Sequence, residues 1–347
     1  MPNASDLEDR GSLLLGLGFE PEPEPFRCRV SRAGRGAYRV DAARPAMGTR
    51  VSIAAFGRSS ARLEEAVGRA FEEMDRLIAI LSRHRHDSAL SSLNDAGRLS
   101  RPPRELAHLL DRARRFHALT RGAFDVTVAP LVDLFRERLA APRPSPLGAA
   151  EIAEVRTRVG ARHIRSSPRL LQLQRQGMRL TLDGIAKGYI VDRMAKALET
   201  RRVRDYLIDG GGDIRSSGRK VEGRPWTVAV RDPSDPSSFL DVVRPGPGAM
   251  ATSGSYEHFY DVDRHYHHLV DAATGLSPGQ VTSVSVFGPT AMAADALATA
   301  VFVLGPVAGL ALVHSLAGCA CLILDRNGRR FVSRGWRTAP PEPDPKG

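Results

Sequence analysis

Thr282-Ser-Val-Ser-Val-Phe287, then Met292-Ala-Ala-Asp295-Ala-Leu-Ala-Thr299-Ala-Val-Phe-Val-Leu-Gly305, then Cys321-Leu-Ile-Leu324 joined through Asp325-Arg-Asn327-Gly328 to Arg330-Phe-Val332, follow one another through the last third of the chain. The first is a short run rich in β-branched residues, the pattern of a buried strand. The second is apolar over a helix's length, apart from one carboxylate and one hydroxyl. The third sets two apolar runs about an Asn-Gly pair, the strongest short-range hairpin signal. Strands, helices and hairpins mixed in this way predict an α+β fold of mixed sheets with packed helices, not a doubly wound sheet.

Residues 296–313 lack charge and are long enough to span a bilayer, but Gly305-Pro306 interrupts them and small residues dilute their hydrophobicity. Two core helices are therefore expected, and no integral membrane segment. Asp295 and Thr299 stand one helical turn apart and share a face. An Asp buried in so apolar a helix is costly without a partner, and a hard cation taking oxygen ligands, Mg²⁺ above all, would satisfy it. The same spacing also describes an N-terminal Asp favoured by the helix dipole, with Thr299 bonding back to a carbonyl. Spacing alone leaves both open.

Working outward, Tyr266-His267-His268-Leu-Val270 predicts a strand whose adjacent histidines point to opposite faces, so that one of them can face a site. The close histidines His84 and His86, and His265, His267 and His268, raise zinc, but no cysteine or helical histidine pair completes a set, and zinc is not expected. Residues 170–173 and 178–182 predict a hairpin about Gln176-Gly177. Asp183-Gly184-Ile-Ala-Lys187-Gly188-Tyr189 passes through a glycine-bounded loop into a helix over 187–199, a layout that aims backbone amides at an anion. It matches neither a Walker A loop nor a dinucleotide fingerprint. A strand over 206–208 runs into Asp209-Gly-Gly-Gly-Asp213, where glycines permit positive φ or close approach to a ligand, and 226–230 predicts another strand. Nearer the N-terminus come a strand over 51–56, a helix stepping by three and four from Leu63 to Leu81, and a helix over 104–120 closed by Gly122. Pro142, Pro144 and Pro146 mark a linker. Glu20-Pro-Glu-Pro-Glu-Pro25 is expected to be extended or disordered. The chain thus divides into a flexible extension (1–36), a compact body (37–336) and a flexible tail (337–347).

At 347 residues with 42% apolar content, the chain can bury a proper core. Its formal charge of +11 comes almost wholly from arginine, scattered without a basic run of interleaved aromatics, so nucleic-acid binding is not expected while a pyrophosphate ligand is compatible. Cys28, Cys319 and Cys321 provide no disulfide framework. The N-terminus lacks a basic n-region and a lipobox cysteine, which predicts cytoplasmic residence.

In order, Met47-Gly-Thr49, Leu81-Ser82 through Asp87-Ser-Ala-Leu-Ser-Ser-Leu-Asn94, Gly122-Ala-Phe-Asp-Val-Thr127, Asp183-Gly-Ile-Ala-Lys-Gly-Tyr189, Asp209-Gly-Gly-Gly-Asp213, Thr252-Ser-Gly254, His268 with Asp271 and Thr274-Gly275, and Asp295 with Thr299 resemble the ApbE family of Mg²⁺-dependent FAD:protein FMN transferases. The resemblance runs over about 45–332. It implies an ApbE-like α+β fold with the ligand site in a cleft between two subdomains. It also implies a reaction that splits the FAD pyrophosphate, joins FMN to a threonine of an acceptor flavoprotein and releases AMP. By the same resemblance, Asp295, Thr299 and the main-chain carbonyl of Gly184 would hold Mg²⁺. FAD would lie against Met47, His84, Ala123, Phe124, Asp125, Asp183 and Lys187. His268 would sit by the pyrophosphate as general base or as a phosphate contact, so that the implied catalytic residues are His268 and Asp295.

Three positions depart from the family pattern. His84 stands where a flavin-stacking tyrosine is common, keeping a smaller π-face. Thr181-Leu182-Asp183-Gly184 replaces Asp-Leu-Gly-Gly, moving the acid two positions along. Asp271-Ala-Ala-Thr274-Gly275 replaces Asp-Pro-Arg-Thr-Gly and loses an arginine.

The chain shows no Asp-Gly-x-Ser/Thr-Gly-Ala-Thr segment of its own, so the resemblance implies a separate acceptor protein carrying such a segment. Two alternatives use the same site: an FAD pyrophosphatase, in which water replaces the threonine, and a non-catalytic FAD-binding or delivery protein.

Overall fold

The computed structural model describes residues 27–34, 36–141 and 144–340. Strands β1 (Arg27–Arg32), β2 (Tyr38–Ala46) and β3 (Thr49–Gly57) form an antiparallel meander. β1 falls within the stretch expected to be an extension, so regular structure begins ahead of Ala37, while residues 1–26 and the end of the tail lie outside the described residues. β2 and β3 join through Met47 and Gly48 alone, at φ 55° and 71°. Two successive positive φ values match the twist of a tight hairpin, and a side chain at Met47 is an uncommon occupant of that conformation.

Helix α1 (Ser60–Leu81), N-capped by the Ser59 hydroxyl, buries Leu63, Val67, Ala70, Phe71, Met74 and Leu81 on one face. Then come α2 (Ala89–Ala96), β4 (Arg98–Ser100), α3 (Arg104–Leu119), α4 (Ala129–Leu139), α5 (Ala149–Arg156), β5 (Ile164–Ser167), β6 (Leu170–Leu173) and α6 (Ala186–Thr200). The remainder runs β7 (Asp205–Asp209), β8 (Ile214–Ser217), β9 (Val228–Asp232), β10 (Asp235–Val243), β11 (Gly248–Gly254), β12 (Val281–Gly288), α7 (Ala291–His314), β13 (Ala320–Asp325) and β14 (Arg330–Val332).

Nine strands make one sheet in the order β1-β2-β3-β7-β8-β11-β12-β13-β14. Every pairing in it is antiparallel, as an α+β fold requires and a doubly wound sheet does not. α1 packs on α6, α6 on α7, and α7 on β11 and β12. The long apolar segment breaks at Gly305 (φ 76°), which joins two helices within α7, and residues 291–302 of its first half are almost entirely buried. The Asn-Gly hairpin forms as β13–β14, with Gly328 at φ 75°.

Two expected strands do not form. Residues 178–182 do not pair with β6, whose partners are β4 and β5. Instead the Asn94 side chain accepts from Leu180 N–H at 2.7 Å and donates to Leu180 O at 2.9 Å, and Thr181 N–H donates to Val126 O. A side-chain amide thus replaces a ladder partner. Residues 266–270 are a loop, held by the Phe259–His267 bridge and by Ser277, which accepts from His267 N–H and donates to His267 O.

Candidate active site

The residues that the resemblance implies for the metal, FAD and catalysis border one cavity of about 1480 Å³: Met47, His84, Ala123, Phe124, Asp125, Asp183, Gly184, Lys187, His268, Asp295 and Thr299. It opens where three apolar clusters meet. Leu81, Phe124 and Ile190 belong to the main core, Val128, Val132 and Val270 to a cluster around α4, and Ile214, Val230 and Met250 to a third.

The floor is set by the crossing of α6 and α7. The Asp192 carboxylate accepts from Ala291 and Met292 N–H, both at 2.9 Å, anchoring the start of α7. A Cβ on Gly188 would lie 2.3 Å from Ala291 O, so only glycine allows this approach. The same residue donates its N–H to Asp295 Oδ2 at 3.1 Å, the one hydrogen bond Asp295 receives among the described residues. Asp295 is 3% exposed, and burial, joined by the charge of Asp213, holds its carboxyl well above the ordinary range. One turn on, the Thr299 hydroxyl lies so near Gly184 that a Cβ there would fall 2.7 Å from Oγ1. A carboxylate short of donors, a hydroxyl and a tightly approached backbone form a hard-oxygen set suited to a hard cation and unsuited to a soft one.

Lys187 Nζ stands 3.7 Å from Asp213 Oδ2. The Asp213 charge raises the lysine's pKa, and burial lifts the Asp213 carboxyl to about 6. Asp213 Oδ2 is buried without a hydrogen bond. Asp209 Oδ1 accepts from Gly211 and Gly212 N–H, both at 2.9 Å, closing the glycine turn beside Thr49. These glycines serve the turn and the packing against the β2–β3 hairpin.

His268 and His267 part company as alternation requires, although the strand is absent. His267 is buried, with Nε2 3.1 Å from Pro278 O and its ring against Phe302. His268 faces the cavity with Nδ1 3.5 Å from His258 O, and burial lowers its pKa to about 4, leaving it neutral at pH 7. Asp125 is turned inward and engaged by Thr127, Ala161 and His117. His84 is exposed at the rim just past α1.

Sequence reasoning missed Tyr256, Glu257 and Arg231, which border the same cavity. Burial raises the Glu257 carboxyl, opposed by Lys187. Glu257 directly follows the Thr252-Ser-Gly254-Ser-Tyr stretch, the only local signal for it. Asp261, Asp263 and His265 bring ligand atoms within 4.8 Å of one another, but Asp261 accepts from His265 and Tyr266 N–H and so closes its own loop.

Fold and site together define an antiparallel α+β protein with a set of hard oxygen donors in one large cavity. The profile of the ApbE family matches residues 47–323. The chain is 32% identical over 333 residues to the FAD:protein FMN transferase of Escherichia coli K12, covering 92% of this chain and 91% of that one. It is 34% identical over 300 residues to the Treponema pallidum protein of the same name, covering 80% and 82%. Among solved structures it matches the flavin transferase ApbE from Vibrio cholerae with a TM-score of 0.74 at 29% identity, covering 86% of this chain and 98% of that one. The ApbE protein of Thermotoga maritima matches with a TM-score of 0.77 at 29% identity, over 85% and 97%. The chain belongs to the ApbE family.

Proposed function

We propose that this protein cleaves the pyrophosphate of FAD and transfers FMN to a threonine hydroxyl of an acceptor flavoprotein, releasing AMP. The observation that carries this reading is the buried Asp295 carboxylate, held by one amide and flanked by Thr299 and Gly184 on the floor of a large cavity. Asp295, Thr299 and the Gly184 carbonyl would hold Mg²⁺, which when bound supplies Lewis-acid withdrawal of charge from pyrophosphate oxygens.

The protein's own groups supply positioning and proton handling. Lys187 keeps its proton throughout the working pH range and presents a fixed positive charge to the pyrophosphate. His268 is neutral, and with Nδ1–H directed at the His258 carbonyl its Nε2 is the basic nitrogen. In the reaction the acceptor threonine oxygen bonds to the FMN phosphorus, its proton passes to His268, and the bond to the bridging oxygen breaks so that AMP leaves with that oxygen. Met47, Ala123 and Phe124 give the flavin an apolar wall, and His84 covers it at the rim.

The test incubates the protein with FAD, Mg²⁺ and a small domain bearing Asp-Gly-x-Thr-Gly-Ala-Thr, followed by intact mass spectrometry. A gain equal to FMN, abolished by EDTA, is expected. Free FMN and AMP with an unmodified domain would instead establish a pyrophosphatase, and intact FAD a binding protein.

A further inference from the structure

Val228, Ala229, Val230 and Arg231 border the cavity in unbroken succession. Successive residues of a strand point to opposite faces. Four in a row lining one cavity fit a strand that presents its edge to it. β9 pairs with β10 on one side, and the far side of β10 is engaged at its Val242–Val243 end by the Thr338 bridge and by Ala339 N–H on Val242 O. The other edge of β9 has no ladder partner among the described residues. An edge without a ladder partner is the template by which an extended chain adds to a sheet.

The surroundings select the kind of chain. Arg231 is exposed and its charge is felt at Tyr256 deeper in the cavity, while Arg50 and Arg136 also border the opening. Across the ribbon, Phe239 pairs with Arg231 and is 58% exposed, a large apolar anchor left uncovered beside a cation.

We propose that the free edge of β9 docks the acceptor protein: an extended, acidic segment carrying the target threonine adds as a further strand, its acid on Arg231 and an apolar side chain on Phe239. This rests on the transfer reaction proposed above. It accounts for a cavity wall made of strand edge, because backbone pairing fixes the threonine's depth whatever the neighbouring side chains are.

The test uses the full chain with FAD, Mg²⁺ and acceptor peptides carrying one backbone N-methyl group at successive positions, with a folded acceptor domain as a parallel substrate. FMN addition is read by mass and AMP release by chromatography. Edge pairing predicts a two-residue period, with every second N-methyl lowering kcat/KM about tenfold and the interleaved ones tolerated. Phe239→Ala raises the peptide KM without moving the FAD requirement, and Arg231→Glu slows the acidic peptide but is rescued when the peptide acid is changed to lysine. Equal rates across the N-methyl series, or a modified domain with no peptide modified at all, would overturn docking on β9 and leave the transferase standing. AMP and free FMN with neither substrate modified would overturn the transferase reading itself, and acceptor docking with it.

Discussion

Two buried aspartates border the same cavity and are treated in opposite ways. Asp125 is 8% exposed, yet it accepts from Thr127 N–H at 2.8 Å, Thr127 Oγ1 at 2.5 Å and Ala161 N–H at 3.2 Å, with His117 Nδ1 at 3.3 Å. Asp295 is 3% exposed and receives Gly188 N–H at 3.1 Å. A carboxylate saturated by its own protein braces a loop, here the turn after α3 against the approach to β5. A carboxylate buried with so few donors is costly by itself, and either a proton or a bound cation would lower that cost. Two histidines diverge in the same sense: Asp125 raises the pKa of His117, whereas burial depresses that of His268 in the cavity wall.

The largest expected effect separates the two acids. Asp295→Ala should lower FMN transfer by about a thousandfold or more while leaving the melting temperature unchanged or higher, because it removes a buried carboxyl that one amide alone supports. Retained activity would break the contrast. Asp125→Ala should do the reverse, costing about 2–4 kcal/mol in denaturant unfolding because the Thr127 and Ala161 donors are orphaned. An unchanged unfolding midpoint would show that the loop does not depend on it.

The histidines sharpen the comparison through pH. Below the ordinary histidine pKa the unfolded chain binds a proton that His268 refuses until about 4, so this group's contribution to stability declines as pH falls from about 6.5 to 4. His117 has the opposite sign: its raised pKa stabilises the fold at low pH, and that contribution is lost as pH rises through the folded value. Transfer that depends on neutral His268 should hold its rate well below pH 6.5 and fail toward 4. A single inflection near 6.5 in kcat/KM would place the base in solvent. The smallest effect is at the rim, where His84→Tyr should tighten FAD binding by about three- to tenfold through a larger stacking face; fluorescence titration with unchanged affinity would remove His84 from the flavin.

Much of this site was legible because its residues sit at motif positions with local signatures: Asp295 and Thr299 one turn apart, Lys187 at a loop-to-helix passage. The break at Gly305 and the Asn-Gly hairpin follow from backbone chemistry alone. What escaped depends on distant partners. Residues 178–182 alternate like a strand, but Asn94, 86 residues away along the chain from Leu180, takes up that residue's backbone groups. Tyr256 and Glu257 lie in a short turn and Arg231 on a strand edge, and only the folding of the sheet brings them to the cavity. The bonds that Asp125 receives from Thr127 and Ala161 were not legible for the converse reason, since a sequence shows an acid but not how many donors surround it.

The most direct test of the contrast is the melting temperature of the wild-type protein and of Asp295→Ala, each titrated with Mg²⁺ in the absence of FAD. A cation held by Asp295, Thr299 and Gly184 predicts a saturable rise in the wild-type melting temperature that the variant lacks. Equal rises in both proteins, or none in the wild type, would contradict it.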